Sequence, residues 1–103
     1  MMYKVKHFRG EFIKVIRFDG TYECYEAIVK FLTGEKEDIK LTYVNKCNHN
    51  VHGIRVHFKN DIYQHYFIEP DYYVGLNEKN QIIERKKSQI KNEYIKIEGD
   101  LNE

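Results

Sequence analysis

Cysteine and histidine gather in one stretch of the chain: Cys47, His49 and His52, followed by His57 and His65. Thiolate and imidazole are first-choice ligands for zinc, and a short loop is able to hold two or three of them. The spacing Cys-x-His-x2-His matches no common zinc pattern, and no second ligand pair is evident. A plain polar loop over 45–52 is therefore the simpler expectation, with Cys47, His49 and His52 as the metal alternative. Histidine also serves as a general acid or base near neutral pH, but no nucleophile or carboxylate stands poised beside His57 or His65. Counting across a two-residue turn at Asn60-Asp61 sets His57 opposite Gln64 and Phe58 opposite Tyr63, which puts His57 and His65 on opposite faces of the hairpin.

A second constellation is aromatic and basic. Tyr63, Tyr66, Tyr72 and Tyr73, with Arg55, His57 and Lys59, compose a sheet surface of the kind that stacks unpaired bases or docks a protein. The signature of the aromatic RNA-binding sheets is absent. Arg85-Lys86-Lys87, with Lys91 and Lys96, is the densest basic patch, and three cations at a strand end more often form a solvated rim than a phosphate site. The sequence holds no Walker loop, dinucleotide fingerprint, Gly-x-Ser-x-Gly elbow or His-Glu-x-x-His helix. The common enzyme classes thus have no support, and no cofactor is expected.

Charge bounds the partners. The formal net charge is +1, so no global field points to nucleic acid or membrane. The charges are nonetheless blocked: basic over 1–17, acidic over 18–38, basic over 39–68, acidic over 69–84, basic over 85–97 and acidic beyond. Such a two-signed chain either attracts itself within the fold or docks a charged partner. No apolar run approaches the ~20 residues of a membrane span, and the N-terminus carries no signal-peptide core. The two cysteines, Cys24 and Cys47, then read as free thiols in a reducing, cytoplasmic compartment.

The elements that must position these residues follow from periodicity. Residues 1–9 read as a basic lead-in. Residues 12–18 are apolar on both faces, as in a strand well inside a sheet. Thr21 is placed to cap a helix over 22–33, with Cys24, Ile28, Phe31 and Leu32 on one stripe and Gly34 as its stop. Strands follow at 39–44, 53–59, 62–68, 72–76 and 81–86, separated by short polar turns. Ser88 opens a short helix to 92, and 95–97 is an edge strand. The order β-α-β-β-β-β-β-α-β predicts one α+β domain over 1–98, a curved, mostly antiparallel sheet with the main helix on one face, and a loose acidic tail over 99–103.

Two segments resemble a group of small phage-encoded accessory proteins. These open with an aliphatic strand and an aromatic-x-Gly turn into a helix, here Val15-Ile16-Arg17-Phe18-Asp19-Gly20. They close with an acidic turn, a strand, a glycine, a hairpin and a small helix ending in Tyr, here Asp71-Tyr72-Tyr73-Val74-Gly75, Gln81-Ile82-Ile83, and Ser88 to Tyr94. The likeness covers about half the chain. The sequence departs from the group in its long middle hairpin, in Glu69-Pro70 where a Gly usually precedes the Asp, and in Ile90 where a Phe is usual. The resemblance implies a phage or prophage origin and an accessory role, and carries no catalytic residues. The expectation is a non-enzymatic, anti-CRISPR-like inhibitor in the bacterial cytoplasm that occludes a host protein or ribonucleoprotein complex. Direct single-stranded nucleic-acid contact is the first alternative, and a small His/Cys metal protein or hydrolase the second.

Overall fold

The computed structural model describes residues 2–98 and gives an α+β fold in which every strand pairing is antiparallel. The tail over 99–103 lies outside the described residues. The chain divides into two compact units, one built from Met1–Arg17 with Asp71–Glu103 and the other from Phe18–Pro70.

The first unit holds a five-stranded sheet. Its strands are β1 (Met2–His7), β2 (Phe12–Arg17), β6 (Tyr73–Asn77), β7 (Ile82–Arg85) and β8 (Tyr94–Glu98), in the order β7-β6-β2-β1-β8. The apolar two-faced segment is central, as its composition requires. The presumed lead-in is instead a strand. Lys4 and Lys6 alternate with buried Tyr3 and Val5, and Tyr3 pairs with Val15 while Val5 pairs with Ile13. The alternation is short and half cationic, so it reads as polar when scanned for bulk hydropathy. Each such buried side chain contributes roughly 2 kcal/mol. One face of this sheet, with Tyr3, Val5, Ile13, Val15, Tyr73, Ile83 and Tyr94, packs with Ile90 of α2 (Lys87–Glu93). The N-cap of that helix is Lys86, whose N–H donates to the Gln89 side chain at 2.8 Å, and not Ser88. The last segment is an edge strand, as expected, pairing with β1.

The second unit is a helix on a three-stranded sheet. α1 (Tyr22–Glu35) packs on β3 (Ile39–Cys47) and β4 (Asn50–Phe58), and β5 (Asp61–Ile68) completes the order β3-β4-β5. Thr21 is the N-cap, its hydroxyl accepting from the Cys24 N–H at 3.1 Å. The helix buries Tyr25, Ile28 and Leu32, with Cys24 and Phe31 half-buried at the margin. Gly34 does not stop it; the helix runs to Glu35, and the Lys36 N–H closes on the Leu32 carbonyl. Ile39, Leu41, Ile54, Val56 and Ile68 supply the facing sheet core. The expected single meander is therefore two sheets. The segment 18–70 buries its own helix and hairpins as a unit of its own.

Candidate functional site

The polar loop expected over 45–52 is the tip of a tight hairpin. β3 and β4 stay in register to the pair Cys47–Asn50, with Asn48 and His49 as the two turn residues and Asn48 in the left-handed region at φ 57°. Asn tolerates that conformation better than most residues, which is what the turn requires. The tip is tied to the start of α1: Tyr22 N–H donates to the His49 carbonyl at 2.7 Å, and Val51 N–H to the Gly20 carbonyl at 2.9 Å. Cys47, His49 and His52 are all exposed, and no group of three His, Cys, Asp or Glu among the described residues is placed to hold a metal ion. Cys24 is the partly buried thiol, and desolvation, the largest influence on it, pushes its pKa up. Next to this hairpin, Tyr22, Tyr25 and Tyr43 pack as a trio with centroids 5.4–5.5 Å apart, and Lys46 Nζ lies 4.1 Å above the Tyr22 ring. Tyr25 donates to the Leu41 carbonyl at 3.3 Å; burial first, then its neighbours Tyr22 and Tyr43, push its phenol up.

The outer face of the three-stranded sheet, turned away from α1, gathers cations and exposed apolar side chains. Across it run the facing sets Lys40–His57–His65 and Thr42–Arg55–Phe67. His57 and His65 face each other directly and do not sit on opposite faces. The reason lies in the turn. Asp61 pairs with Phe58, and its carboxylate accepts from the Tyr63 N–H at 3.0 Å, so Ile62, Tyr63 and Gln64 bulge out before the ladder resumes at His65. The bulge leaves Ile62 82 % and Tyr63 88 % exposed. Arg55, His57, Ile62, His65 and Phe67 line a shallow open groove of about 460 Å³. Phe67 fills space that a missing side chain leaves: a Cβ on Gly53 would fall 2.4 Å from Phe67 Cζ, and 42 % of the residue stays exposed.

The other expected contact residues scatter. Lys59 is exposed beyond the end of β4, its N–H donating to the Asp38 carbonyl. Tyr66 turns to the inner side, edge-on to Phe58 at 5.8 Å. Tyr72 is half-buried, and Tyr73 is a core residue at 1 % exposure with its ring 6.2 Å from Tyr3, so it offers no docking surface. Arg85, Lys86 and Lys87 belong to the first unit. There Arg85 donates through Nε to the Tyr94 hydroxyl at 3.2 Å and lines a groove of about 400 Å³ with His7, Arg9, Glu11, Gln89, Glu93 and Tyr94. That groove mixes both charge signs.

The face built on Arg55 and His57 thus includes three residues that counting along the sequence does not assign to it, His65, Phe67 and Ile62. The available signal was Asp61, whose carboxylate is suited to capping the N–H two residues on and so to shifting the register. No family model, curated protein or solved structure matches this chain.

Proposed function

We propose that the chain is a binding protein without bond-making chemistry of its own, which uses the outer face of the three-stranded sheet to occlude an acidic surface on a protein or nucleoprotein. One observation carries the reading. Lys40, Arg55, His57 and His65 stand together beside Phe67 and Ile62, exposed, with no carboxylate among the facing positions. Among the carboxylates of the same unit, Glu23, Glu26 and Glu35 are exposed on α1, while Asp61 stands at the hairpin turn and Glu69 just past the end of β5. Cations segregated onto one face steer an acidic partner, and an apolar centre supplies the area that holds it. The resemblance to phage accessory proteins supports a host defence complex as the partner.

Affinity capture from a bacterial lysate tests this with three baits: the wild-type chain, Arg55→Glu, and Glu26→Gln on the helix as control. The reading expects one dominant complex retained by wild type and control and lost with Arg55→Glu. A wild-type chain that retains nothing, or a complex indifferent to the charge at Arg55, overturns it.

A further inference from the structure

The same face has a finer grain than a generic acidic partner needs, and the inference here rests on the docking reading above. We infer that the groove of Arg55, His57, His65 and Phe67 takes single-stranded nucleic acid, with phosphate on the cations and a base on the Phe67 ring. Three features support that ligand. First, the Phe67 ring occupies the space over Gly53, where a Cβ would meet its Cζ at 2.4 Å, and 42 % of the residue stays exposed. A half-exposed aromatic among cations is what an unpaired base stacks on. Second, Arg55 stands directly opposite Phe67 in the ladder, which sets the two side chains side by side on the same face, with Cβ atoms about 5 Å apart. That is the juxtaposition of phosphate and base contacts that a nucleotide requires. Third, His57 and His65 face each other, with Lys40 across from His57 on the third strand and Arg55 on the same strand. A lysine and an arginine cation and two imidazole donors on neighbouring positions of three strands give an extended anion several contacts at once.

Fluorescence anisotropy of a short labelled oligothymidylate with the full chain is the test. Binding should weaken roughly tenfold between about 50 and 200 mM salt. His57→Gln with His65→Gln should weaken binding several-fold, and Phe67→Leu should cost about tenfold with the salt slope unchanged. Circular dichroism confirms that each variant is folded. Polyglutamate is the comparison ligand. Polyglutamate binding that depends on Arg55, without oligothymidylate binding, defeats the nucleic-acid inference and leaves the acidic-partner reading standing. Binding of neither defeats both, and oligothymidylate binding indifferent to the histidines and Phe67 defeats the proposed site.

Discussion

At the scale of single residues, the two faces of the molecule's chemistry are Tyr3 in the core and Phe67 at the surface. The Tyr3 hydroxyl is buried with no hydrogen-bond partner among the described residues, beside the Tyr73 ring. A buried, unsatisfied hydroxyl carries its desolvation cost with no return. Tyr3→Phe should therefore leave stability unchanged or raise it by about 1 kcal/mol in urea unfolding, against the usual sign for a core substitution. A loss of more than about 1 kcal/mol would mean that the hydroxyl has a partner after all. Alternation alone turns Arg55 and His57 outward, and that much is legible in the sequence. The cross-strand identity of His65 is not, because one carboxylate at Asp61 takes the Tyr63 N–H and moves the register. Tyr73 misleads for the opposite reason: tyrosine suits a wet surface and a core equally, and only pairing of its strand with β2 decides.

At the scale of elements, close backbone approach governs the five-stranded sheet. Gly75 faces Val15 across β2 and β6, and a Cβ there would meet the Lys14 carbonyl oxygen. Backbone cannot swing aside as a side-chain tip does, so Gly75→Ala should destabilise by about 3 kcal/mol or more, read as a lowered urea midpoint. A midpoint within error of wild type would remove the close pairing of β2 and β6 from the account. Gly53 differs in kind, because its obstacle is the Phe67 ring, which is able to rotate away. The helices show how far local signals reach. Thr21 starts α1 where its hydroxyl predicts, whereas Gly34 is absorbed into the last turn without a left-handed conformation. The β1 strand escapes a reading by hydropathy since Lys4 and Lys6 occupy its solvent-side positions, each with its ammonium 5.2–5.5 Å from the Phe12 ring. Such placement shields an otherwise apolar stretch and blunts its signal.

At the scale of the whole molecule, the alternating charge blocks resolve into surfaces belonging to different units. The basic block over 39–68 supplies the cationic sheet face, and the acidic block over 18–38 supplies much of α1 in the same unit. The basic block over 85–97 belongs to the first unit, where Arg85 already hydrogen-bonds Tyr94 and the adjoining groove holds Glu11 and Glu93. Antiparallel α+β architecture follows from the periodicity and the short turns. The division into two units does not, since it depends on which strands exchange hydrogen bonds across long separations: β2 passes over 18–70 to pair with β6. An amide NMR titration of the full chain with oligothymidylate and with polyglutamate distinguishes the sheet face of Arg55, His57, His65 and Phe67 from the groove of the first unit. Docking of acidic partners on the sheet face should concentrate shifts in 53–58 and 62–68 and leave resonances over 82–94 undisturbed. Shifts confined to 82–94, or none with either polymer, would contradict it.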